Sequence, residues 1–102
     1  MHPARDLDDV VHQRARLGML AILSEVGEAD FGYLKEELGL TDGNLATHIA
    51  VLEKANLVVV RKGFEGKRPR TWVAVTPLGR AAYAAEIAAL RQIVREYGDF
   101  RP

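Results

Sequence analysis

Two stretches of the chain carry side chains whose types and spacing point to chemistry with a partner. Residues 41–54 read TDGNLATHIAVLEK, and residues 61–70 read RKGFEGKRPR, with five cations in ten positions. On a helical wheel Leu45, Ile49 and Leu52 fall in one narrow stripe that must face a core, while Gly43, Asn44, Thr47, Ala50, Val51 and Lys54 fall opposite. That outer face is small and hydrogen-bonding, where an exposed helix is normally laced with paired charges. It suits the major groove of duplex DNA, about 12 Å wide. Asn44 offers a two-atom edge that matches adenine, and the Thr47 methyl or Ala50 can meet a thymine methyl. Thr41 and Asp42 lie at the approach of this surface, and His48 sits at the edge of the core stripe, placed to support the helix.

The cations Arg61, Lys62, Lys67, Arg68 and Arg70 stand out because the chain as a whole has 14 basic and 14 acidic residues. Residues 1–43 hold four basic and nine acidic residues, residues 44–71 six and two, and residues 72–102 four and three. A basic island in a neutral chain is an electrostatic footprint for phosphate, although a solvated surface hairpin would read the same way on charge alone. Other chemistries find less support. With no cysteine there is no disulfide, thiolate nucleophile or thiolate metal site, which fits a reducing compartment. His2, His12 and His48 are scattered, and no metal or other cofactor is expected. Asp6, Asp8 and Asp9 suit a helix start, and Glu36 and Glu37 a solvated helix face, so no acid–base pair is read from them. Gly63 and Gly66 lie in a hairpin and not between a strand and a phosphate-binding helix. The chain is therefore not expected to be an enzyme. No apolar run spans a bilayer, and the acidic start does not resemble a secretory signal, so a cytoplasmic protein without membrane contact is expected.

The elements that must position these residues follow from periodicity and punctuation. A first helix is predicted from about Asp8 to Val26, with a break permitted near His12, followed by a short extended piece at Ala29 to Phe31. Gly32 to Leu38 forms a second helix, closed by Gly39 as a left-handed cap. Thr41 is the N-cap of a third helix through Asn44 to Ala55, ended by Asn56. Residues 58–75 read as a β-hairpin with a long basic tip, in which Pro69 restricts the chain. Thr76 and Pro77 start a last, alanine-rich helix that runs to about Tyr97. Only the first few and last few residues look unanchored.

A helix, a short turn, a groove-suited helix and then a basic hairpin give a mainly α fold with a small antiparallel β-hairpin, arranged as a winged helix-turn-helix. The stretch DFGYLKEELGLTDGNLATHIAVLEKANLVVVRKGFEGKRPRTWVAVTPLGRAAY, residues 30–83, resembles stand-alone DNA-binding regulators of bacteria that lie between the ArsR and MarR groups. Its most specific parts are LGLTDGNLATHIAVLEKANLV, the wing FEGKRPRTW and the TPLGR junction. The resemblance implies one domain over residues 1–102, a sequence-specific transcriptional regulator, most simply a repressor, with Asn44 to Lys54 as recognition surface and the hairpin as wing. It also implies dimerisation through terminal helices. The periodicity of the last helix agrees: Leu78, Ala82, Ala85, Ala89, Ile93 and Tyr97 can pack on the domain. Ala81, Ile87, Ala88, Leu90 and Val94 widen the apolar surface beyond one stripe, so a homodimer over Ile87, Leu90 and Val94 is expected. Metal-responsive members of the broader group use cysteines or clustered ligands absent here, and the effector stays unassigned. The alternative is a winged helix that binds a protein partner and not DNA, for which Phe64 is the one aromatic anchor at the hairpin tip.

Overall fold

The computed structural model describes residues 1–99. Two features of the second and third helices follow from single residues. The Asp30 carboxylate accepts a hydrogen bond from the Tyr33 N–H (2.7 Å) and starts α2 (Phe31–Leu38), which Gly39 closes at φ +63. Thr41 Oγ1 accepts from the Asn44 N–H (3.2 Å) and starts α3 (Asp42–Lys54). The two helices are thus separated by a turn of three residues. Upstream lie α1 (Arg14–Val26) and the short strand β1 (Glu28–Asp30); downstream come β2 (Val58–Glu65), β3 (Arg68–Val75) and α4 (Pro77–Tyr97).

The hairpin forms a three-stranded antiparallel sheet in the order β1-β3-β2. The extended piece expected near Ala29 is therefore a true edge strand, pairing Glu28 with Ala74 and Asp30 with Trp72. Along β2 and β3 the alternation of a half-buried sheet places Val58 and Val73 in the core. There they meet Met19, Leu20 and Leu23 of α1, Leu34 of α2, and Leu45, Ile49 and Leu52 of α3. Each helix lends one stripe to this single core, which fixes α3 with its opposite face outward.

The N-terminus departs from expectation. The first helix begins at Arg14, with Gln13 as its N-cap, and not at Asp8. Residues before it are anchored: Pro3–Asp6 form a 3₁₀ helix, Val11 is fully buried, and His2 stacks on Tyr97 at 4.7 Å. What holds them is Glu86, a buried carboxylate of α4. It accepts from the Asp8 N–H (2.9 Å) and pairs with His12 Nδ1 (2.8 Å). An acidic residue inside an alanine-rich helix gives no periodic signal, so the clamp was not legible. The C-terminal residues 100–102, also expected to be unanchored, lie outside the described residues. In α4 itself Ala82 packs on the core and Ala89 is buried, whereas Leu78 and Ala85 are exposed and not packed on the domain, and Tyr97 is exposed apart from its stacking on His2. No helix among the described residues is long and apolar enough to cross a membrane.

Candidate nucleic-acid interface

The outward face of α3 presents Gly43, Asn44, Thr47, Ala50 and Lys54, all exposed, while Val51 is half-buried. The Asn44 side chain makes no hydrogen bond within the described residues, so both its amide donor and its carbonyl acceptor remain open. Thr47 differs: its hydroxyl donates to the Gly43 carbonyl (2.9 Å), leaving the methyl and the oxygen lone pairs to face outward. Asp42 is exposed but paired with Lys35 of α2 (2.9 Å), which offsets its charge at the approach to the helix.

His48 lies half-buried beneath this face. Arg16 Nη1 sits 3.1 Å from His48 Nδ1, and Arg16 also donates from Nε to the Val10 carbonyl (2.6 Å). Burial, and secondarily the Arg16 charge, pull the His48 pKa below its usual value. The neutral ring accepts at Nδ1 and carries its proton on Nε2, an assignment made from the hydrogen-bond geometry. Thus α1 braces α3 through one arginine. Each of the three histidines has a partner inside the domain: Tyr97, Glu86 or Arg16. No group of three or more metal-ligating side chains occurs among the described residues.

The wing is tighter than its sequence implied. The expected long tip is a two-residue turn, Gly66-Lys67, closed by the pair Glu65 and Arg68. Gly66 takes φ +63 at the first turn position, where a II′-type hairpin needs a positive φ. Phe64 and Pro69 form the next pair. That pair is not hydrogen-bonded across the ladder, and β1 does not extend that far, so Pro69 costs the sheet no donor bond.

The wing cations fall into two groups. Arg61 pairs with Glu28 (3.0 Å) and stacks over Trp72 at 4.2 Å. Arg70 is clamped between Asp30 and Glu65, the latter at 3.3 Å. The Asp30 carboxyl is held below its usual pKa first by the Tyr33 backbone N–H, against an opposing effect of burial, and further by Arg70. One carboxylate therefore caps α2 and ties down the wing. By contrast Lys62, Lys67 and Arg68 are exposed and form no ion pair within the described residues. These three, with the open face of α3, are cations and hydrogen-bonding groups that the fold itself leaves unused.

On the last helix, Ile87, Leu90 and Val94 line an apolar groove of about 500 Å³, flanked by Arg91 and Arg95. Val94 is 67% exposed.

A family model for the winged helix DNA-binding domain matches residues 15–94. An uncharacterized protein of Methanocaldococcus jannaschii is 37% identical over 78 residues, which are 76% of this chain and 85% of that protein. A transcriptional regulator homologue from Pyrococcus horikoshii OT3 is similar in structure, with a TM-score of 0.87 and 30% identity over 94% of this chain and 97% of its own. A MarR-family transcriptional regulator from Silicibacter pomeroyi has a TM-score of 0.66 at 24% identity, covering 99% of this chain and 68% of its own, a likeness of fold.

Proposed function

This chain belongs to the winged helix DNA-binding domain family, and on that premise we propose that it reads a specific duplex DNA sequence as a homodimer and represses transcription. We take residues 1–102 as a single winged helix domain that carries both the recognition helix and the wing. In this reading the N-terminal half of α3 enters the major groove, with Asn44 and Thr47 at base edges and Thr41, Gly43, Val51 and Lys54 along the groove walls. Lys62, Lys67 and Arg68 meet backbone phosphates. Asp42, His48, Arg61 and Arg70 hold those elements in place. The observation that carries the reading is the open hydrogen-bonding face of α3 beside cations that form no ion pair within the described residues. Repression is the simplest regulatory outcome of occupying such a site, because a bound domain excludes other proteins from the DNA it covers.

The homodimer rests on α4. Its groove over Ile87, Leu90 and Val94 is apolar and open, and a two-fold pairing of alanine-rich helices would remove it from water. A dimer also doubles the half-sites and so makes the preferred sequence an inverted repeat. Leu90→Glu is expected to convert dimer to monomer in sedimentation at micromolar concentration.

Selection from a pool of random duplexes tests the function. An inverted repeat is expected, and Asn44→Ala should reduce discrimination against random DNA by about 1 to 3 kcal/mol. Equal affinity for all duplexes would refute base reading by α3. The second reading, a protein-interaction module, is favoured by one observation, the exposure of Phe64. It becomes the better account if no duplex is retained.

A further inference from the structure

We propose that Phe64, backed by Pro69, is an apolar wedge that packs against the deoxyribose walls of the DNA minor groove, between the phosphate-binding cations Lys62 and Lys67. The proposal rests on the DNA-binding reading above and adds a contact that charge alone does not supply.

Phe64 is 71% exposed, more than any other large hydrophobic side chain of the described residues except Met1. The core does not need it, because the core cluster ends along β2 at Val60. Its orientation follows from the alternation of the strands. Val58, Val60, Lys62 and Phe64 share one face with their partners Val75, Val73, Thr71 and Pro69. Nearest the body, that face enters the core at Val58 and Val73. Farther out, Val60, Lys62 and Thr71 line a cleft of about 300 Å³ with Ala46, Ile49, Ala50 and Glu53 of α3. Phe64 is the next residue outward on this same face, the one turned toward the recognition helix. With α3 in the major groove, the ring overhangs the neighbouring stretch of duplex.

The surroundings distinguish the two macromolecules that could cover an exposed ring. The centres of protein interfaces are depleted of lysine. Here the ring stands between Lys62 on its own face and Lys67 at the turn, neither of which has an ion-pair partner within the described residues. Glu65, next to the ring in the strand, points to the opposite face and is engaged by Arg70 at 3.3 Å, and Glu53 of α3 lines the cleft on the body side of the ring. Phosphates satisfy this pattern on both sides of the ring. The sugars between them are apolar, and phenylalanine and proline are among the residues that wedge into minor grooves. Pro69 has no N–H to leave unsolvated and a fixed φ, and the two-residue turn keeps the tip narrow, so the wedge is rigid before binding. A wedge favours steps that open easily, so a deformable TA step at the wing contact is preferred over a stiff A-tract.

The test uses duplexes carrying the selected inverted repeat, with either a TA step or an A-tract beneath the wing, and measures affinity over a range of salt. Phe64→Ala is expected to lower affinity about tenfold and to flatten the TA preference, with the salt slope unchanged because no counterion is released. Phe64→Leu should retain most of the affinity. As the ring lies outside the core, both variants should melt like the native protein. Phe64→Ala with native affinity, while Lys67→Ala and Arg68→Ala weaken binding, would overturn the wedge and leave the DNA reading intact. A loss accompanied by a shallower salt slope would also overturn it, since the variant would then have displaced the cations. A native protein that binds none of the duplexes at any salt would remove the DNA reading itself.

Discussion

Between α1 and α4 the fold engages the charged side chains of Arg16 and Glu86 internally, whereas in the outer wing three cations form no ion pair within the described residues. Glu86 is fully buried, accepts from the Asp8 N–H at one oxygen and holds the other 2.8 Å from His12 Nδ1, and Arg16 bonds the Val10 carbonyl and His48. In the wing, Arg61 and Arg70 are likewise paired, but Lys62, Lys67 and Arg68 are not paired within the described residues. The contrast teaches how to sort charge in a domain of zero net charge. A charged group satisfied inside the fold sets geometry, and changing it should alter stability. A charged group with no internal partner adds nothing to folding, and changing it should alter binding alone.

The comparison breaks if the internal network proves dispensable. Glu86→Ala removes the acceptor for Asp8 and the partner of His12, and leaves a cavity under the N-terminal segment. A loss of about 2 to 3 kcal/mol in urea denaturation is expected. Glu86→Gln keeps the volume and an acceptor for the Asp8 N–H, so it should lose less than half of that. If Glu86→Ala were as stable as the native protein, the buried carboxylate would not be what anchors residues 3–12.

A smaller effect sharpens the same contrast through pH. The folded state holds His48 with its pKa below the unfolded value, so below about pH 6.5 the unfolded chain binds the extra proton. His48 therefore lowers stability as pH falls from the unfolded pKa through the folded one, and has no such effect above that window. The melting temperature of His48→Gln should fall less than that of the native protein between about pH 7.5 and about pH 5.5. A parallel decline in both would mean that Arg16 does not need a neutral ring.

Much of this was legible because it is periodic or punctuated. Leu45, Ile49 and Leu52 are all buried, the Thr41 and Thr76 caps accept the N–H groups three residues on, and Gly39 is left-handed, as their types and spacing implied. What was missed is non-local. Glu86 contacts a residue 78 positions away, and Arg70 meets Asp30 across 40. Nothing in either stretch alone marks the pairing. The same blindness made Arg61 and Arg70 look equal to Lys67 and Arg68, though the sheet gives the first two carboxylate partners. The turn was misjudged for a different reason. Gly66 supplies the positive φ that closes the hairpin in two residues, and Pro69, usually a strand breaker, sits at a ladder position where its missing donor is not needed.

The salt dependence of duplex affinity for the native protein and for the Lys67→Ala, Arg68→Ala double variant tests the central claim most directly. If these open cations meet phosphates, the slope of log affinity against log salt should become shallower by about 0.9 for each phosphate no longer neutralised, which is about 1.8 per protomer and about 3.6 for a dimer changed in both wings. Stability should stay within about 0.5 kcal/mol of native. An unaltered slope with unaltered affinity would contradict the account, because Lys67 and Arg68 would then have no part in binding DNA.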